Sequence, residues 1–285
     1  MIAMMERKLT TLLDGGRYFE GPRWHDGRLW FVDCMARTLL SVKLSGEHEV
    51  HASFDDTPCG TGILPDGRIA VLTMSKKQLL VFADGRLSLY ADLSRVAAGT
   101  IDDMIIDGLG RAWVGDLGFH VPPPPDRGAV GRLILVTPHG EARVVAEGLR
   151  FPNGIAVSAD HRRLVVAEMD GATLADYDIT ADGSLTLRSR LGRMNDPDGI
   201  CLDADGAVWV ASFTEDAFIR VGRDGSELQR IAVPGRRALA CALGGPERRT
   251  LFCLSAATSY EELRQRKSSS RVDIVEVETA GSGYP

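Results

Sequence analysis

Residues 21–33 read Gly-Pro-Arg-Trp-His-Asp-Gly-Arg-Leu-Trp-Phe-Val-Asp. The Asp26-Gly27 pair lies between two apolar stretches, which is the strongest short-range signal for a β-hairpin. The pattern returns at residues 62–73 (GILPDGRIAVLT), 104–116 (MIIDGLGRAWVGD), 154–168 (GIAVSADHRRLVVAE) and 199–212 (GICLDADGAVWVAS). A weaker copy stands at residues 241–255 (CALGGPERRTLFCLS). The residues just past each turn are Arg28, Arg68, Arg111, Arg163, Ala207 and Arg249, at intervals of 40, 43, 52, 44 and 42. Further hairpin signals fall between the copies at Asp84-Gly85, Asp182-Gly183 and Asp224-Gly225. Two hairpins in each period of about 44 residues make a four-stranded unit the size of a propeller blade. The repeat therefore predicts an all-β, six-bladed propeller occupying residues 1–285 as one domain. Strands near the two termini, at residues 9–13 and 271–277, are expected to pair and close the ring, since an open edge invites aggregation. Residues 261–267 read as a short helical or solvated excursion before the last strand.

Composition excludes several functions. Of the 285 residues, 33 are Lys or Arg and 39 are Asp or Glu, a net charge of −6 that disfavours nonspecific nucleic-acid binding. No run of 18 apolar residues predicts a membrane helix, and the first residues carry no secretory signal. The five cysteines are odd in number and widely spaced, mostly within apolar runs, so they read as reduced core thiols of a cytoplasmic protein. There is no phosphate-binding loop, HExxH or GxSxG motif, and Pro65 spoils the glycine string that begins at Gly60. Asp203-Ala204-Asp205-Gly206 is a hairpin turn, its glycine two places early for a calcium loop.

In a propeller, the first strand of every blade lines the channel, so the residues that precede those strands converge. The copies offer Glu20, residues 60–62, Asp102-Asp103, Asn153, Asp198 and residues 238–240. Four of the six place Glu, Asp or Asn at one level, a set of hard oxygen donors suited to Ca²⁺, Mg²⁺ or Mn²⁺. The competing reading is that Asp and Asn merely cap turns there. The end of each second strand falls on the same face, which assigns the pocket wall to Cys34-Met35, Met74, Asp116-Leu117, Met169, Phe213 and Ser255. The longest interval is attributed to residues 119–131, including Pro122-Pro123-Pro124-Pro125, either as a rim or lid over the metal face or as a stiff spacer. His120, at the base of that loop, is a site acid–base or a surface residue.

Four segments resemble signature stretches of the gluconolactonase/regucalcin (senescence marker protein) family. They are Phe19-Glu20-Gly21-Pro22-Arg23-Trp24, Asp103-Met104-Ile105-Ile106-Asp107, Phe151-Pro152-Asn153-Gly154 and Pro197-Asp198-Gly199-Ile200. The resemblance implies a six-bladed propeller with one catalytic divalent metal, Ca²⁺ favoured and Zn²⁺, Mn²⁺ or Mg²⁺ open, that hydrolyses a small lactone. It implies Glu20, Asn153 and Asp198 as metal ligands and Asp103 as the base, with Asp102 beside it. Met35, Met74, Asp116, His120, Met169 and Phe213 are the expected substrate contacts. Two departures stand out. The Asn of the family's Asn-Asp pair is Asp102 here, and the arginine that sugar-lactone members carry two residues earlier is Thr100. The loss of that guanidinium, together with an apolar wall, points towards a less polar lactone or ester. Two alternatives are a phosphotriester or aryl-ester hydrolase built on the same site and a metal-binding or interaction propeller without catalysis. Neither nucleic acid nor membrane is an expected partner, and no oligomeric state is read.

Overall fold

The computed structural model describes residues 9–121, 128 and 130–282. They form six four-stranded antiparallel sheets set as blades around a central axis, a six-bladed β-propeller. The blades span residues 19–53, 58–92, 101–149, 152–191, 197–232 and 237–276, the sixth completed by the strand Thr10–Gly16. Their innermost strands are Phe19–His25, Pro58–Ile63, Ile101–Ile106, Pro152–Val157, Pro197–Leu202 and Arg237–Gly244, each packed against the next around the ring.

Local chemistry explains the blades. Asp26 and Gly27 have φ of 48° and 72°, and Asp84 and Gly85 have 50° and 72°. This is the doubly left-handed turn whose twist matches that of antiparallel strands, and it is why Asp-Gly marks both hairpins. Ring closure follows the sequence expectation: Thr10–Gly16 pairs with Ser269–Glu276 as the outermost strand of the last blade. The expected excursion contains a short helix, Tyr260–Arg264, whose first turn is capped by the Ser259 side chain.

The core is divided among the blades. Six apolar clusters lie one at each blade junction, such as Phe19, Phe31, Phe252 and Val272 between blades one and six. The ring is therefore held by the same kind of interface repeated six times.

A polar belt runs around the ring outside the innermost strands. The second-strand residue paired with the first residue of the innermost strand, or in the sixth blade with its second residue, is Asp33, Thr73, Asp116, Glu168, Ser212 or Ser255. All six are at most 3% exposed. These side chains tie down the segment entering the channel. Asp33 accepts the N–H groups of Arg17, Tyr18, Met35 and Ala36, and Asp116 those of Ala98, Gly99 and Gly118. Glu168 accepts from Arg150 N–H, while the Ser212 hydroxyl donates to the Asn195 carbonyl. Removing such an acceptor leaves several part-buried amides without their partner. Asp33→Ala should therefore lower unfolding stability by about 3 kcal/mol, read as a shifted urea midpoint with an unchanged slope.

Candidate active site

Each innermost strand is irregular where it leaves the belt. The pairing with the second strand breaks register at Glu20/Arg23, Pro58/Gly60, Ile101/Met104, Pro152/Ile155, Pro197/Ile200 and Ala238/Ala240. A bulge bends its strand and re-aims a side chain, and here it recurs in every blade at one level of the channel. Asn153-Gly154 and Asp198-Gly199 lie within strands, so the turn-capping reading fails for them. Their glycines serve close approach instead. A Cβ on Gly154 would stand 2.4 Å from the Asp198 carbonyl oxygen, and one on Gly199 2.5 Å from the Ala240 Cβ.

The five polar residues read from the sequence share one electrostatic environment. Burial pushes the Glu20 carboxyl well above its ordinary range, and the charges of Asp198, Asp103 and Asp102 push it further. Burial likewise raises Asp198, followed by Asp102 and Asp103, with a hydrogen bond from Asn153 easing the shift. Asp102 is raised to about 7 by burial and then by Asp103. Asp103 is raised by burial but pulled back by Arg23 and by the amides of Met104 and Ile155. Its Oδ1 accepts the Met104 N–H at 2.7 Å and lies 3.9 Å from Arg23 Nη2, with 11% of the side chain exposed.

Glu20 and Asp198 have no such counterion among the described residues. No three His, Cys, Asp or Glu side chains of those residues gather closely enough to hold an ion by themselves. The donor set is instead two carboxylates with the Asn153 carboxamide, all hard oxygens, and their unrelieved mutual repulsion is what a divalent cation would relieve. These residues fit an oxygen-preferring cation.

An apolar cluster flanks this level: Met169, Phe213, Leu239 and Ala256, with Tyr18, Phe151 and Leu263 against it. Asn153 Nδ2 donates to the Met169 sulfur at 3.9 Å, so wall and polar set touch. Tyr260 of the short helix lies over Phe213, ring centroids 4.8 Å apart.

The remaining wall expectations fare differently. Asp116 is not part of the wall: its carboxylate belongs to the belt, taken up by backbone amides, and offers nothing to a substrate. Ser255 is likewise a belt residue. Met74 is half-buried against the core between blades two and three. Met35 is half-buried, its carbonyl accepting from Arg266. His120 is exposed, and Pro122-Pro123-Pro124-Pro125 lie outside the described residues. At the base of that loop, Phe119 meets Phe151 edge-on at 5.7 Å. Thr100, where a substrate-binding arginine was looked for, is buried and accepts the Val121 N–H.

Sequence reasoning missed Tyr18, Phe151, Leu239, Leu263 and Arg23. Tyr18 lies close enough to Asp198 and Glu20 that their charges, after burial, drive its phenol well above the ordinary range. One signal was available: Tyr18 and Phe151 stand two residues ahead of Glu20 and Asn153, so they enter the channel just before the polar level.

The chain is 28% identical to pentonolactonase XacC of Haloferax volcanii, over 84% of this chain and 82% of that protein. It is 31% identical to 6-deoxy-6-sulfogluconolactonase of Pseudomonas putida, over 65% of this chain and 64% of that one. Its fold matches a calcium-binding protein, regucalcin, from Agrobacterium tumefaciens strain C58 with a TM-score of 0.80 at 21% identity, covering 98% and 97% of the two chains. The SMP-30/gluconolactonase/LRE-like region matches residues 19–257. With that match spanning most of the chain, the protein belongs to the SMP-30/gluconolactonase/LRE-like family.

Proposed function

We propose that this protein is a divalent-metal-dependent lactonase. The reading is carried by one observation: Glu20 and Asp198 lie within each other's electrostatic reach with no counterion among the described residues, beside Asn153 and against an apolar wall. Relatives named for lactone hydrolysis support the reaction class. Glu20, Asn153 and Asp198 would hold the cation, with Ca²⁺ favoured by the all-oxygen set. A cation there supplies polarisation of the lactone carbonyl and compensation of the oxyanion that develops on it.

The chain's own residues provide the proton handling. Asp103 is held by the Met104 amide and faced by Arg23, which favours its charged form, while part of its carboxyl edge stays open to water. It takes a proton from the attacking water as the water oxygen bonds to the carbonyl carbon. The ring C–O bond then breaks, the proton passes to the departing ring oxygen, and a hydroxy acid leaves. Asp102, half-buried and one residue away, orients the water or a substrate hydroxyl. The apolar wall and the absence of a guanidinium at Thr100 favour a lactone bearing an apolar substituent over a fully hydroxylated aldonolactone.

On a panel of alkyl-substituted γ- and δ-lactones, aldonolactones, aryl esters and phosphotriesters, acid release should be highest for the alkyl lactones. It should vanish with chelator and return with Ca²⁺. Asp103→Asn should lower kcat roughly 10²–10⁴-fold with little change in KM, and Asp198→Ala should abolish turnover. Full activity in Asp198→Ala, or in chelator, would falsify the mechanism.

The metal-free protein should also carry a pH signature. A carboxyl whose folded pKa lies above its unfolded value is most comfortable protonated, so its unfavourable contribution is small near pH 4, grows between about pH 4 and about 7, and is fully present above that. In chelator, Asp102→Asn should match wild type in Tm near pH 4.5 and exceed it by about 5 °C at pH 8, as followed by scanning fluorimetry.

A further inference from the structure

The far end of the channel is built differently from the carboxylate end. A cavity of about 40 Å³ lies where the innermost strands finish, lined by Ile105, Ile106, Ile155 and Ile200 and reached by three basic side chains, Arg23, His161 and Arg248. Each of the three has a solvent-shielded nitrogen without a hydrogen-bond partner: Arg23 Nε, His161 Nδ1 and Arg248 Nε. Arg23 is only 5% exposed. Its terminal nitrogens donate to the carbonyls of Pro22 and Met104, leaving Nε unsatisfied. Burial pulls the Arg248 guanidinium below its ordinary value. The acids nearby are committed elsewhere. Asp107 lines the cavity, but its oxygens accept from the amides of Leu109 and Arg111, from Arg111 Nε and from Trp113 Nε1. Asp103 approaches only the Nη2 side of Arg23.

The backbone offers a second, independent observation. In blades two, three and five, the residue closing the turn after the innermost strand donates its N–H to the carbonyl three residues back and is left-handed. That residue is Gly67, Gly110 or Gly206, with φ of 86°, 77° and 75°. In blades four and six the same hydrogen bond and backbone belong to His161 and Arg248, with φ of 58° and 57°. A left-handed conformation is unfavourable for residues with a side chain. Among these five turns, the two that carry a side chain at that position instead of glycine are the two that direct a basic group into this cavity.

We infer that the far end of the channel is a binding site for a small tetrahedral oxyanion such as phosphate or sulfate, held by Arg23, His161 and Arg248. The two guanidinium groups supply charge-assisted donors and the His161 ring a further polar contact, and the isoleucine walls lower the local dielectric and strengthen them. The narrow space suits an anion of inorganic size. The site shares no residue with the proposed cation ligands; its one link to the lactonase reading is Arg23, whose Nη2 also faces Asp103.

The test is a thermal-shift titration of the full chain with phosphate, with sulfate and with chloride at equal ionic strength. Chelator is present throughout, so that no divalent cation at the other end can capture phosphate. The expected result is a saturable rise in Tm of about 5 °C for phosphate or sulfate over chloride. Such salts also stabilise proteins in general, without saturating. The double variant His161→Gly/Arg248→Gly separates the two effects: it should be as stable as wild type or more so in chloride and lose the saturable rise. Arg248→Met, which leaves both turns' backbone requirements as they are, should weaken the apparent affinity at least tenfold. A non-saturating response in wild type, an equal response in the variants, or an equal response to chloride would each overturn the assignment.

Discussion

Like charges held together on the axis are the constraint around which the rest of the molecule is organised. Beyond what burial already does, Asp198, Asp103 and Asp102 raise the proton affinity of Glu20, Asp102 and Asp103 raise that of Asp198, and Asp103 raises that of Asp102. Left to itself, such a cluster would spread. Here it is clamped by a ring in which every blade packs on both neighbours through its own apolar cluster, and the terminal strand Thr10–Gly16 completes the last blade. Closure of the ring and crowding at its centre are thus two sides of one arrangement, in which core burial holds a polar set in place.

The polar belt explains how that force reaches individual side chains. Asp33, Asp116 and Glu168 do not face the channel; they hold the amides of the segments that enter it. The bulge that follows then turns Glu20, Asp102-Asp103, Asn153 or Asp198 towards the axis. Positioning comes from backbone hydrogen bonding and local irregularity, which lets the innermost residue vary between blades while the scaffold beneath stays the same. Blade two illustrates this. It has the same bulge and a belt threonine, Thr73, yet contributes Gly60 and Thr61 in place of an acid. Gly60 leaves room for Asp103 from the next blade, whose Oδ1 would lie 3.0 Å from a Cβ there.

Much of this was legible in the sequence because it depends on local chemistry repeated at a fixed period. Asp-Gly turns need left-handed residues, so Asp26-Gly27 and Asp84-Gly85 announce their hairpins, and six such units leave little choice of architecture. The polar level was legible for the same reason: Glu20, Asn153 and Asp198 recur in register. What could not be read was side-chain direction at positions decided by partners far along the chain. Asp116 ends a second strand just as Met169 and Phe213 nearly do, and only the amides of Ala98 and Gly99 turn it into a belt residue. Arg23 looked like one strand residue among several. Its role comes from meeting Met104 and Asp103, 81 and 80 positions away.

Arg23 also marks the point where the channel changes sign. On one side it faces Asp103 and the carboxylate level, and on the other its Nε opens towards His161 and Arg248. Six converging strands bring together whatever charge their sequences carry at each level, so a channel of one sign throughout would compound repulsion along its whole length. An acid level followed by a basic one lets each partly offset the other, and a buried arginine between them is shared by both. The strain accepted at His161 and Arg248 belongs to this arrangement. At turns where glycine would be comfortable, the chain keeps two side chains whose charge the far end of the axis uses.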